Sequence, residues 1–239
     1  VGELALFIVL EGGEGGGKST QARILYGRLC QKHYRARLLR EPGNTALGEA
    51  IRTLVTSPRQ TLFSRWRSSL TLPQDNSQLV AKELFLSIVP EAELLLFAAA
   101  RAQMVAEQLR PFLQKGLVVV CDRYIYSTVA YQGYGAGLNL GLIQNINELV
   151  TGGLKPDLVL LLDIDPVKGV GRKGKTQEMS RFETQDLDFH RRVRQGYLKQ
   201  MEEDPQRWVK VNASLPKDKV TQEIWKAVEQ CLAKPKAEP

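Results

Sequence analysis

Leu4–Thr20 reads LALFIVLEGGEGGGKST. Leu4 to Leu10 is an apolar run of strand length, and Gly12, Gly13, Gly15, Gly16 and Gly17 follow it. Lys18, Ser19 and Thr20 then open a segment with helical spacing. The pattern is G-x-x-x-x-G-K-S, with Gly12 in first place and Gly17 in sixth, the signature of a phosphate-binding loop. A polyphosphate is wrapped by backbone N–H groups, and side chains would block that approach. A helix starting near Lys18 aims its positive dipole end at the anion. Lys18 adds a mobile charge for the β- and γ-phosphates, and Ser19 offers a hydroxyl to Mg²⁺. A flexible Gly-rich linker would lack the strand before, the helix after and the Lys-Ser pair in register. The loop implies nucleotide binding and leaves the reaction open.

The 239 residues suit one large α/β domain with a substantial core. A net charge of +7 suits anionic partners, and nucleotides satisfy it as well as nucleic acid or membrane would. No basic run is dense enough for a nucleic-acid arm. Cys30, Cys121 and Cys231 make no C-x-x-C, and His33 and His190 lack metal-ligand spacing. No apolar run reaches membrane-span length, and the N-terminal run is too short for a signal peptide. The expected address is cytoplasmic.

Along the chain, 21–34 predicts a helix, 36–39 a short strand and 46–55 a helix that Thr45 caps. The stretch 57–83 carries Pro58, Pro73 and a basic aromatic patch, Arg65-Trp66-Arg67, and reads as an irregular insertion. Residues 91–113 predict one long buried helix, apolar on nearly every face. A strand over 117–121 ends in Asp122-Arg123-Tyr124, followed by a helix from about Thr128, a loop over 133–141 and a helix over 142–150. A strand over 158–162 ends in Asp163. Residues 171–182 have the composition of a basic lid, with Arg172, Lys173, Lys175 and Arg181. A helix over 185–204, a strand over 208–211, a helix over 217–232 and a tail over 233–239 complete the reading. Strand and helix alternate about five times, which predicts a parallel sheet covered on both faces. Ligands in such sheets sit at the carboxyl ends of strands, where the loop, Arg40–Asn44, Asp122–Tyr124 and Asp163–Pro166 all fall.

Asp122 and Asp163 each end a strand, and either suits the carboxylate near Mg²⁺. Arg123 follows Asp122 and suits a second phosphate group. An acid for a metal beside an Arg for an anion points to phosphoryl transfer between two nucleotides. Such transfer needs positioning, water exclusion and positive charge, the last two from a closing lid.

The chain resembles the bacterial thymidylate kinases, which make dTDP from dTMP and ATP. The resemblance rests on FIVLEGGEGGGKST, REPG-x-T at Arg40–Thr45 and PEAELLLFAAAR at Pro90–Arg101. It extends to DRY and STVAYQG within Asp122–Gly133 and to PDLVLLLDIDP at Pro156–Pro166. It implies a three-layer P-loop NTPase fold with a five-stranded parallel sheet, a homodimer, and Mg²⁺ held near Ser19 and Asp122. Gly12, Gly13, Glu14, Gly15, Gly16, Gly17, Lys18, Ser19 and Thr20 would bind ATP. Phe97 would stack on thymine and Arg101, one turn on, would bond the base. Arg123 would clamp the dTMP phosphate, and Thr128, Tyr131 and Gln132 would line the sugar and base pocket, with Glu41, Pro42 and Ser127 nearby. Glu14 would sit near the acceptor sugar and phosphate. The phosphate loop has no Arg, so the lid would supply the catalytic charge, Arg172 first among its candidates. Tyr131 would crowd out a ribose 2′-hydroxyl.

Three positions depart from the family pattern. Asn44 replaces the second glycine of REPGGT, Ala100 replaces a polar residue before the Arg, and Asn212 stands where an Asp is frequent. A guanine-nucleotide switch is a rival reading, but no N-K-x-D or D-x-x-G segment supports it. A nucleic-acid-binding protein is another, and the charge is too evenly spread to favour it.

Overall fold

The computed structural model describes residues 4–56, 88–173 and 182–233. Five parallel strands lie in the order β2-β3-β1-β4-β5: β1 (Leu6–Glu11), β2 (Ala36–Arg40), β3 (Val118–Asp122), β4 (Leu158–Asp163) and β5 (Trp208–Asn212). Central β1 is buried along its whole length, as a strand covered on both faces must be. Its alternate residues divide the core. Leu6, Ile8 and Leu10 face α1 (Lys18–Gln31) and α9 (Lys217–Leu232) through Leu25, Leu29, Ile224 and Val228. Phe7 and Val9 face the other layer, with Met104, Leu109 and Tyr124. The expected α/β architecture is therefore present.

Ile8 has no exposed surface in this core. Ile8→Ala should destabilise the protein by about 3 kcal/mol through lost burial and a residual cavity, read as a lower urea midpoint at unchanged slope.

α2 (Ala46–Thr56) begins as expected, with Thr45 Oγ1 accepting from the Gly48 N–H at 2.9 Å. The single helix expected over 91–113 is instead broken. α3 (Pro90–Met104) passes into wide π-helical turns at Val105–Leu109 before α4 (Arg110–Gln114). Pro111 lacks an N–H and crowds the preceding turn, which the wider turn relieves. Nor is this helix buried all round, since Leu95 is 59% exposed.

The helix expected from Thr128 starts earlier, at α5 (Ile125–Thr128), and runs on in π-helical turns over Val129–Gly135. The loop expected from Gly133 therefore begins only after Gly135. Gly133 and Gly135 serve packing: a Cβ on Gly135 would lie 2.7 Å from the Phe189 ring of α8 (Leu187–Glu203). α6 (Leu140–Thr151) follows, capped by Asn139. α7 (Pro166–Lys173) takes in the first residues of the expected lid as helix. The insertion over 57–83, Lys175 and Arg181 of the lid, and the tail beyond Ala233 lie outside the described residues. Among the described residues no helix is long and apolar enough to cross a membrane.

Candidate active site

The carboxyl ends of β1, β2 and β3 open on one cleft of about 830 Å³, with the phosphate loop on one side and α3 on the other. Glu14, Gly15, Gly17, Lys18, Ser19, Thr20, Glu41, Pro42, Phe97, Arg101, Asp122, Arg123, Ser127, Thr128, Tyr131 and Gln132 line it. They come from four separate stretches of sequence, 14–20, 41–42, 97–101 and 122–132, and the fold brings them together.

The loop is built against its neighbours as much as for a ligand. Gly12 has φ +139°, and a Cβ there would lie 2.5 Å from the Leu162 carbonyl oxygen. At Gly15, with φ +71°, a Cβ would fall 1.9 Å from the Gly169 carbonyl oxygen of α7. Around Gly13 nothing lies within 4 Å of a Cβ, so that glycine leaves room for an approaching phosphate. Gly15→Ala must displace the loop from α7, and a displacement near 1 Å should lower kcat/KM for ATP about 100-fold. Gly13→Ala should leave the melting temperature unchanged. Lys18 is buried, with Nζ 2.6 Å from the Gly13 carbonyl oxygen.

Asp122 Oδ2 accepts from Ser19 Oγ at 2.5 Å, while Asp122 Oδ1 is buried with no hydrogen-bond partner among the described residues. Two hard oxygen donors beside a phosphate loop, one carboxylate oxygen still unfilled, fit Mg²⁺. Asp163, the other strand-end acid, is taken by Arg194 through contacts of 2.7 and 2.9 Å. The two strand-end acids singled out in the sequence thus have different partners in the fold.

Arg101 is 2% exposed in the floor of the cleft. Its Nε donates to Glu41 at 2.8 Å, Nη1 to Asn147 at 2.8 Å and Nη2 to Thr128 at 2.9 Å. Burial pushes the Glu41 carboxyl up, and the Arg101 guanidinium opposes it. Phe97 lies one helical turn away on the same face, half-buried, its ring 6.1 Å from that of Phe182. Tyr131 meets Phe182 edge-on at 5.7 Å, so three aromatic rings border this end.

Arg123 sits between the two sides in a left-handed conformation, φ +74°, rare for a side-chain-bearing residue. Its Nη2 pairs with Glu14 at 2.7 Å, and the Tyr131 hydroxyl donates to the same carboxylate at 2.7 Å. Its Nη1 donates to Gly12 O, Ser127 Oγ and the Tyr197 hydroxyl at 3.3, 3.1 and 3.3 Å. Gln132 donates to Glu93 at 2.6 Å.

Arg172 stands at the rim. Its Nη1 donates to the Ala213 carbonyl at 2.8 Å and reaches Gly15 O at 3.5 Å, while Nη2 reaches Ser214 O at 3.3 Å. It ties α7 to the turn after β5 and does not line the cleft.

The sequence reading placed Arg40 at the binding edge without a role and passed over Arg52 and Glu11. Arg40 and Arg52 both line the cleft. Arg40 and Glu11 end strands at the binding edge, a signal that position alone carries. Arg52 projects from α2, where no motif marked it. Asn44 has φ +69°, with its Oδ1 accepting from the Arg40 N–H. A left-handed site explains why Asn can replace glycine there.

A phosphate loop facing an arginine-lined second pocket across one cleft defines a P-loop nucleotide kinase. The thymidylate kinase family model matches residues 10–224. The chain is 42% identical to the thymidylate kinase of Deinococcus radiodurans, covering 94% of this chain and 97% of that one. It is 43% identical to that of Thermosynechococcus vestitus, covering 95% and 87%. A crystal structure of thymidylate kinase from Ehrlichia chaffeensis superposes with a TM-score of 0.70 at 28% identity, covering 95% and 99%. This chain belongs to the thymidylate kinase family.

Proposed function

We propose that this protein transfers the γ-phosphoryl group of ATP to dTMP, giving ADP and dTDP. The observation that carries the reading is the joining, in one cleft, of Lys18 and the phosphate loop to Phe97, Arg101 and Arg123. The loop amides and Lys18 hold the donor phosphates. Ser19 and Asp122 would hold Mg²⁺, which when bound neutralises charge on those phosphates. Phe97 offers its ring face to the pyrimidine, Arg101 its guanidinium to the base, and Arg123 its charge to the acceptor phosphate. Tyr131, held by Glu14, stands at the sugar. Catalysis in this reading is alignment and charge stabilisation in a cleft shielded from water, with the protein making no covalent bond. Incubation with ATP, Mg²⁺ and a panel of monophosphates checks it: dTMP should be the best acceptor. Faster phosphorylation of dCMP or UMP would overturn the acceptor assignment.

Self-association fits the surface as well. Leu142 and Leu149 are 49% and 81% exposed on α6, which packs beside α3 with its exposed Leu95. Their spacing of seven puts Leu142 and Leu149 on one helix face. A second copy of this chain is the occupant we assign, and sedimentation equilibrium should return twice the chain mass. Leu149→Glu should shift the protein to monomer.

A further inference from the structure

Glu11 has no exposed surface, ends the central strand and lies behind the cleft lining without forming part of it. A carboxylate so placed must be satisfied from within. Its Oε1 accepts the Tyr124 N–H at 2.8 Å and the Ser127 N–H at 3.2 Å. Its Oε2 accepts the Ser127 hydroxyl at 2.6 Å and the Tyr197 hydroxyl at 3.1 Å. Both hydroxyl oxygens in turn face Nη1 of Arg123, at 3.1 and 3.3 Å.

A guanidinium only donates, so those oxygens must accept, and their protons must point elsewhere. Glu11 takes the Ser127 proton, and the Tyr197 proton goes to Glu11 or to Ser127 Oγ at 2.8 Å. The carboxylate therefore fixes the direction of both hydroxyl dipoles. It also pins the amide of Tyr124, the residue that follows the left-handed Arg123. We infer that Glu11 is a positioning residue: through Ser127 and Tyr197 it holds the Arg123 guanidinium ready for the acceptor phosphate. This rests on the phosphate-binding role proposed above for Arg123.

Glu11→Gln is the sharp probe, because it keeps shape and reverses one group. The two backbone N–H donors hold the amide oxygen at the Oε1 place, so the NH₂ must face the hydroxyls. Only one of the two hydroxyl protons can then go to the other hydroxyl oxygen, and the remaining one turns toward the guanidinium, which repels it. Burial holds the Glu11 carboxyl up to about 7, so the comparison is run at pH 8, where wild type carries the charge.

The test is calorimetric binding of dTMP and of thymidine, which lacks the phosphate. In wild type, dTMP should bind more tightly. In Glu11→Gln that phosphate advantage should shrink about tenfold with thymidine binding unchanged, the size of one charge-assisted contact. In an Arg123→Ala background, Glu11→Gln should change the advantage no further. If Glu11→Gln does not fold, Tyr197→Phe should show a smaller loss of the same kind. Equal weakening of both ligands, or an intact advantage in a folded variant, overturns the proposal alone. Wild type that favours neither ligand overturns the functional reading and this proposal with it.

Discussion

Lys18→Ala should fold normally and lose turnover by about 1,000-fold, the cost of withdrawing one preorganised charge from the transferring phosphoryl group. Lys18 is buried at the entrance of α1, its Nζ folded back on the Gly13 carbonyl at 2.6 Å. That contact lies within the phosphate loop, on the donor side of the cleft. The KM for dTMP should therefore stay within about twofold while kcat collapses, the pattern of an interaction made in the transition state. Steady-state kinetics with both substrates varied, alongside a melting curve, measure this. Unchanged kcat would remove Lys18 from the mechanism.

Arg123→Ala should lower kcat/KM for dTMP by about 1,000-fold, through a higher KM together with a lower kcat. Arg123 touches both sides of the cleft, bonded to Gly12 and Glu14 of the loop and to Ser127, Tyr131 and Tyr197 beyond it. Its removal leaves Glu14, with only 8% of its side chain exposed, without this counterion. Stability should fall by roughly 2 kcal/mol, below the usual cost of breaking a buried pair because the Tyr131 hydroxyl still donates to Glu14. Alanine must also keep the left-handed backbone, so no strain is relieved. Thymidine binding should change little, which separates loss of the phosphate clamp from collapse of the pocket.

Much of this was legible along the chain because its signals are local. The phosphate loop is one continuous stretch, and the strands end where acids and arginines appear. Thr45 caps α2 through a hydroxyl three residues from its partner amide. What escaped reading depends on distant partners. Arg101 asked for a partner inside an apolar helix, but nothing local pointed to Glu41 or Asn147, which lie 60 and 46 residues away. Asp122 and Asp163 look alike in sequence, and only the fold gives one Ser19 and the other Arg194 of α8 as partner. Gly133 and Gly135 resemble loop glycines until α6 and α8 are seen packed against them. Glu11 stood in plain view just before the loop motif, and its partners Tyr124, Ser127 and Tyr197 are far along the chain.

The central claim is spatial: one nucleotide's phosphates on the loop, a thymine between Phe97 and Arg101, and the acceptor phosphate on Arg123. A crystal structure with dTMP and a non-hydrolysable ATP analogue measures it directly. The account predicts the thymine ring against Phe97, with its edge within hydrogen-bond reach of Arg101 and the 5′-phosphate on Arg123, facing the γ-phosphate. A thymine bound outside this cleft, or a 5′-phosphate turned away from Arg123, would contradict it.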